Sequence, residues 1–335
     1  MATDKPKLAM YWAAACGGCE ISLANMHEAI LELDRDFDFV FCPCFLDTKK
    51  KDLEAMPDGS IRLTLFNGSL RTEENLEMAR LLRKKSQLLV AFGSCAVSGG
   101  VPALANQRSR DELLSRVYLE APGTVNPDRL FPRVLSQVPE GELTLPEFLD
   151  RIPSLKDAVP VEYLMPGCPP EPERILAVLR LVASGEALPD PGTVLGCSAT
   201  RAVCDECTRE KRDQAAPALV RSSEALPEPG WCLVEQGVPC LGMATKGGCG
   251  ALCPAVQMPC SGCYGPLDPD GDAGGAGIAA LSGAVAAPVD HGAGEAQLVA
   301  RSRATVAAVA DPLGTFYRYT LSDCLIGERD QEVVK

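Results

Sequence analysis

Apolar and polar positions alternate with two different periods through the first half of the chain. Leu8 to Ala15 is a largely apolar run suited to a buried strand, and it ends in Cys16-Gly17-Gly18-Cys19. From Glu20 to Leu33 the apolar residues Ile21, Ala24, Ile30 and Leu33 fall at helical spacing, which predicts a first helix. A second apolar run, Phe37 to Leu46, contains Cys42 and Cys44 two residues apart, hence on one face if the run is a strand. Ile61 to Phe66 predicts a third strand. After Asn67-Gly68 a helix is expected over Thr72 to Lys85, with Thr72-Glu73-Glu74 as cap and acidic first turn and Arg83-Lys84-Lys85 in the last turn. Gln87 to Phe92 is again apolar and leads into Gly93-Ser94-Cys95-Ala96. Residues 98–160 are richer in proline, glycine and charge. Helical pieces are expected there near Asp111 to Leu119 and Leu145 to Arg151, as an insertion at one end of a sheet. Val161 to Met165 resumes the strand pattern, stops at Pro166-Gly167-Cys168-Pro169-Pro170, and is followed by a helix over Glu173 to Ser184.

Strands alternating with helices imply an α/β fold with a flavodoxin-like, doubly wound parallel sheet. Cys16, Cys19, Cys95 and Cys168 each follow the carboxyl end of an expected strand, the edge where such sheets place ligands. Segments far apart in the chain therefore converge on one four-thiolate site. The adjacent Gly17, Gly18, Gly93 and Gly167 let backbone approach an inorganic cluster and donate hydrogen bonds to it. A plainer reading makes these three buried core thiols and a chance CxxC. Nucleotide binding has no support: no GxGxxG follows the first strand and no GxxxxGK[ST] occurs. Gly274-Gly275-Ala276-Gly277 reads as a loop entering a small-residue helix.

Pro189 and Pro191 mark a linker, dividing a sheet domain, residues 1–190, from a cysteine-rich domain, residues 191–335, with a helical C-terminal tail. Eight cysteines fall within 60 residues of the second domain: Cys204-x2-Cys207, Cys232, Cys240, Cys249, Cys253 and Cys260-x2-Cys263. Two intervening residues let both thiolates aim at one centre from a tight turn, whereas a disulfide at that spacing is strained. The eight divide into Cys204, Cys207, Cys232 and Cys240, and Cys249, Cys253, Cys260 and Cys263. Either set has the donors for a four-iron cubane or a zinc ion, and spacing alone does not separate the two. Seven prolines and little periodicity point to clusters rather than a conventional core as what holds this region together. A helix is expected over about Glu295 to Ala310. The aromatic segment Asp311 to Tyr319 then docks onto a partner or the sheet domain, or packs within the chain.

With 32 basic against 45 acidic side chains the net charge is -13, which argues against a nucleic-acid surface. Met1 to Lys7 lacks the features of a signal peptide, and no twin-arginine signal precedes the first strand. Gly274 to Val289 is Gly/Ala-rich and broken by Pro288, too weak for a membrane span. A cytoplasmic protein is expected, and in a reducing compartment its 16 cysteines favour metal over disulfides. His27 reads as a helix or interface residue and His291 as part of an exposed loop. Glu20 sits where a helix N-terminus favours an acid, although its place beside Cys19 also suits proton transfer. Cys42, Cys44, Cys197 and Cys324 read as core or surface thiols, with Cys197 near enough to Cys204 to be a rival ligand.

Taken together, Cys16-x2-Cys19, Gly93-Ser94-Cys95-Ala96, Pro166-Gly167-Cys168-Pro169-Pro170, Gly230-Trp231-Cys232 and Cys260-x2-Cys263 resemble the small subunit of nickel-iron hydrogenases. The likeness runs through nearly the whole chain. It is closest to the cytoplasmic, methyl-viologen-reducing type that feeds electrons to heterodisulfide reductase, and it includes the Asp311 to Tyr319 segment. The resemblance implies an oxidoreductase acting on hydrogen, with the nickel-iron site on a separate large subunit and no catalytic residue on this chain. Three 4Fe-4S clusters are implied in a line: proximal (Cys16, Cys19, Cys95, Cys168), medial (Cys249, Cys253, Cys260, Cys263) and distal (Cys204, Cys207, Cys232, Cys240). An iron-sulfur acceptor subunit of the heterodisulfide-reductase-linked type is the implied second partner. Two departures from the periplasmic enzymes stand out. Cys204 occupies the place of a distal histidine, and four cysteines are available where the medial cluster of those enzymes is a three-iron form. Thiolate in place of imidazole lowers the expected distal potential. The small subunit of a coenzyme F420-reducing hydrogenase and a zinc-stabilised binding module are the alternatives. A quinone-reductase subunit is disfavoured because it resembles the first half only.

Overall fold

The computed structural model describes residues 5–198, 200–216, 218–224, 226–268, 271–285 and 307–324. His291, and the expected tail helix up to residue 306, lie outside the described residues. The chain divides after Leu195 into two compact units.

In the first unit the strands β1 (Lys7–Trp12), β2 (Asp38–Phe41), β3 (Ile61–Asn67), β4 (Ser86–Phe92) and, beyond the insertion, a strand at Tyr163–Met165 form one sheet. The insertion itself holds a hairpin of β5 (Leu135–Val138) and β6 (Gly141–Thr144), so the last sheet strand is β7. All pairings in the large sheet are parallel, in the order β2-β1-β3-β4-β7. Leaving the hairpin aside, this is the flavodoxin order, with a topological switch between β1 and β3. Both faces are covered, which is why the strands read as near-continuous apolar runs. Leu8, Met10, Leu63, Leu65, Val90 and Phe92 enter one core, and Ala9, Phe66, Leu89 and Ala91 enter the other. Each large side chain fully buried this way contributes about 1.5–3 kcal/mol.

Local chemistry sets the connecting elements. The helices are α1 (Gly18–Ala24), α2 (Ile30–Asp36), α3 (Lys50–Ala55), α4 (Glu73–Lys85), α5 (Ser94–Ser98), α6 (Arg110–Ser115), α7 (Leu155–Ala158) and α8 (Pro172–Ser184). The Thr72 hydroxyl caps α4 by accepting from Asn75 N at 3.3 Å, and the Asn75 side chain accepts from Thr72 N in return. Three expectations are corrected. The first helix is two, α1 and α2, broken where His27 takes a φ of 51°; Leu23, Met26 and Leu33 are buried while Ile21 and Ile30 are exposed. The second strand ends at Phe41, because the Cys42 carbonyl accepts from Phe45 N and Leu46 N and turns the chain, so Cys42 is buried and Cys44 exposed. Residues Leu145 to Arg151 are not helical. Their backbone instead pairs with the approach to α4, through Leu149 N to Arg71 O and Glu73 N to Glu147 O, with the Arg71 guanidinium over the Phe148 ring.

Among the described residues the second unit has the helices α9 (Val203–Glu206), α10 (Leu252–Ala255), α11 (Ala273–Ala284) and α12 (Pro312–Phe316). It does have a small core, in which Cys240, Cys260 and Cys324 pack with Val203, Leu233, Leu241, Leu281 and Phe316. Of the aromatic segment, Phe316 and Tyr317 pack inside this unit. Tyr317 lies so close to Gly274 of α11 that a Cβ there would stand 2.2 Å from the ring. Among the described residues no helix is long and apolar enough to cross a membrane.

Candidate metal centres

At the carboxyl edge of the sheet, each thiol is carried by a loop whose conformation only glycine permits easily. Gly17 (φ 86°) turns the chain after Cys16 into α1, which starts with Gly18 and Cys19. Gly93 leaves β4 with φ 80° and ψ 156° before Cys95 in α5, and Gly167 (φ 138°) precedes Cys168 after β7. Backbone bonds lock these loops together: Gly93 N to Met165 O, Ser94 N to Gly167 O at 2.9 Å, and the Ser94 hydroxyl accepting from Gly167 N at 3.1 Å. The Ser22 hydroxyl of α1 donates to Pro170 O, tying in the Cys168 loop.

Four thiols gather there. Burial pushes the Cys19 thiol well above its usual range, and further upward pressure comes from Glu20, Cys95, Cys168 and Cys16 in that order. Cys95 is pushed up to about 12, chiefly by burial and then by Cys168 and Cys16. The glycines leave the space: a Cβ on Gly93 would lie 2.5 Å from Cys19 Sγ, and one on Gly100 2.8 Å from Cys95 Sγ. Gly18 N donates to Cys16 Sγ at 3.4 Å.

Glu20 stands in the first turn of α1, as expected of a helix-end acid. It is buried, its Oε1 accepts from Asn67 Nδ2 at the end of β3, and both Glu20 Oε2 and Asn67 Oδ1 are buried without a hydrogen-bond partner. Sequence periodicity carries no signal for this pair, since Asn67 lies just past the apolar run Ile61 to Phe66 from which the strand is expected. Cys42 and Cys44 hydrogen-bond to each other, and both feel the Glu20 charge.

In the second unit Cys204 and Cys207 are presented by the single turn of α9. The Cys204 thiol is pushed up to about 12 by burial first, then by Cys240, Cys207 and Cys232, while Lys211 opposes the shift. Cys240 is also raised by burial, yet its sulfur accepts hydrogen bonds from the backbone N–H of Gly242 and Cys260, the latter at 3.2 Å. Cys260 is pushed up to about 12 by burial and then by Cys240, with a smaller rise from Cys249, while the Gly262 N–H opposes the shift; the Thr245 hydroxyl donates to Leu241 O at 2.7 Å. These mutual influences mark Cys204, Cys207, Cys232 and Cys240 as neighbours, and Cys260 as a neighbour of both Cys240 and Cys249. Cys253 stands exposed in α10, and Cys263 is half-buried after Gly262. Cys324 is a core thiol that donates to Leu321 O.

Clustered thiols with backbone N–H groups aimed at sulfur suit a soft cationic group that displaces their protons. Among the described residues no three His, Cys, Asp or Glu side chains gather tightly enough for a single ion. A cubane binds each thiolate at its own corner, a wider arrangement.

Comparison with known proteins points the same way. Residues 16–182 match the family described as NADH ubiquinone oxidoreductase, 20 Kd subunit. The chain is 39% identical to the iron-sulfur subunit of the F420-non-reducing hydrogenase of Archaeoglobus profundus, over 84% of this chain and 88% of the relative. It is 34% identical to a vhu subunit of the F420-non-reducing hydrogenase of Methanocaldococcus jannaschii, over 98% and 99%. Its fold is similar to a chain of the H2-activated [NiFeSe]-hydrogenase of Desulfomicrobium baculatum, with a TM-score of 0.51 and 19% identity, over 80% of this chain and 97% of that one.

Proposed function

The chain belongs to the family of iron-sulfur small subunits of F420-non-reducing hydrogenases, and on that footing we propose that its twelve clustered cysteines hold three 4Fe-4S clusters forming a relay. It is the electron-transfer subunit of a nickel-iron hydrogenase and works with a large subunit. Cys16, Cys19, Cys95 and Cys168 hold the proximal cluster, Cys249, Cys253, Cys260 and Cys263 the medial, and Cys204, Cys207, Cys232 and Cys240 the distal. Bound there, such clusters supply one-electron chemistry at low potential. The chain's residues bind thiolate-first, keep water away through the burial of Cys19, Cys240 and Cys260, and direct Gly18, Gly242, Cys260 and Gly262 N–H groups at sulfur. Those N–H bonds stabilise added negative charge on a ligand set and so favour the reduced form.

The observation that carries this reading is the gathering of Cys16, Cys19, Cys95 and Cys168, from three separate strand ends, into one electrostatically coupled group lined by Gly93 and Gly100. The distal cysteine set faces a low-potential iron-sulfur acceptor of the heterodisulfide-reductase-linked type, in the cytoplasm; Cys204, a thiolate where a histidine would give a more positive centre, favours such an acceptor. Iron and acid-labile sulfide analysis of the purified native complex tests the assignment. About twelve irons from this chain and little zinc are expected. Iron for one cluster only, or stoichiometric zinc, overturns it.

A further inference from the structure

We propose that Arg209 is the fixed cation of the second unit's electron path, a positioning residue that clamps three cysteine-bearing loops and raises the reduction potential of the clusters they hold. The inference rests on the cluster assignment above. Arg209 follows Cys207 by two residues, and its guanidinium reaches the two other loops at once. Nε donates to Pro254 O at 2.8 Å, the carbonyl directly after Cys253, and Nη1 donates to Trp231 O at 2.7 Å, the carbonyl directly before Cys232. Nη2 donates to the Gln257 side chain, whose own amide donates to Pro227 O at 3.2 Å. The backbone holds the same register independently: Glu210 N donates to Gly230 O and Cys232 N to Glu210 O. One half-buried side chain therefore joins loops of both the medial and the distal set.

What makes Arg209 more than a clamp is the kind of partner it has. All its acceptors are neutral oxygens, and among the described residues it forms no ion pair. The carboxylates nearby are engaged by Arg212, which pairs with Glu210 and Glu228 and lies 4.7 Å over the Trp231 ring; Glu235 takes the backbone N–H groups of Arg212 and Asp213 and the Trp231 indole. A guanidinium stays charged at all relevant pH. In a chain of net charge -13, its positive charge is left uncancelled where thiolate-ligated clusters gain one negative charge on reduction. Arg212, by contrast, is a neutralised surface ion pair.

Redox titration with EPR detection on the purified hydrogenase complex, comparing Arg209→Gln, Arg209→Lys and Gln257→Glu, separates charge from clamping. Arg209→Gln removes the charge. Gln257→Glu keeps the guanidinium's acceptor but sets a carboxylate against it, so it decides the matter even where Arg209→Gln fails to assemble. Both are expected to favour the oxidised medial or distal cluster about tenfold, a midpoint lower by about 59 mV, with iron content unchanged in Gln257→Glu. Arg209→Lys restores most of the potential while leaving the loops more open to limited proteolysis. An unchanged potential in Gln257→Glu, or equal shifts in the Lys and Gln variants, overturns the role of charge. If the wild-type complex lacks the second unit's EPR signals and iron, the cluster assignment fails instead, a result distinct from either.

Discussion

Gly93→Ala should abolish the proximal site, and the structure sets the size of the effect. The added Cβ would stand 2.5 Å from Cys19 Sγ and 3.4 Å from Asn67 Oδ1, with Gly167 O 3.7 Å away, so the buried sulfur must move. Overpacking of that kind costs about 1–3 kcal/mol. The backbone adds its own strain, because φ 80° with ψ 156° is a region open to glycine and nearly closed to alanine, at about 1–3 kcal/mol. The total of about 2–6 kcal/mol is a large share of a typical domain stability. Gly59→Ala is the control: Gly59 also has positive φ, 66°, but nothing lies within 4 Å of its Cβ position, leaving only a left-handed backbone penalty of about 1–2 kcal/mol. Thermal midpoint and iron content of the purified complex would be measured for both. The Gly93 variant should lose about four irons and melt well below the Gly59 variant, which keeps its iron. Full iron and equal midpoints in the two would refute the claim that space at Gly93 is reserved for the thiol site.

Three further outcomes are expected. Cys204→His should leave the fold intact and raise the distal potential, since a neutral imidazole replaces a thiolate; potentiometric EPR showing no rise contradicts the distal assignment. In complexes shown to retain the large subunit, Cys19→Ser should stop hydrogen-dependent reduction of all acceptors, dyes included. Cys207→Ser should spare hydrogen-deuterium exchange and lose transfer to the natural partner; normal transfer there would exclude an outward-facing Cys207 site. Finally, Cys95, Cys204 and Cys260 are each pushed up to about 12, first by burial, so the iron-free fold holds them protonated while the unfolded chain releases the protons nearer 9. The folded state binds more protons in that window, so the iron-free chain is most stable below about pH 9 and loses this contribution as pH rises toward 12. A denaturation midpoint that rises over that range would contradict it.

The strand and helix sequence of the first unit was legible because a covered parallel sheet demands apolar runs, and β1, β3, β4 and α4 have them with clear caps. Helix boundaries were less so. Ile21, Ala24 and Ile30 have the spacing of a buried face, yet Ile21 and Ile30 are exposed: α1 buries Cys19, Ser22 and Leu23 instead, and the break at His27 ends the single helical period on which the spacing relies. In Leu145 to Arg151 a helical pattern yielded to long-range backbone pairing with Arg71 and Glu73, which no local window contains.

By itself the sequence determined which chemistry is available: thiols at strand ends, the CxxC pairs, and a sheet whose carboxyl edge collects them. Cysteine spacing carries that information because two thiolates from one turn share a centre. Only the tertiary structure decided what surrounds them. It put Glu20 against Asn67 in a buried pair, brought Cys260 N–H onto Cys240 Sγ, and set the Arg209 fork across the Trp231 and Pro254 carbonyls. Each of these joins residues 20 to 47 positions apart, with neither a periodicity nor a composition to announce it. Close approach between remote loops follows from packing of the whole unit.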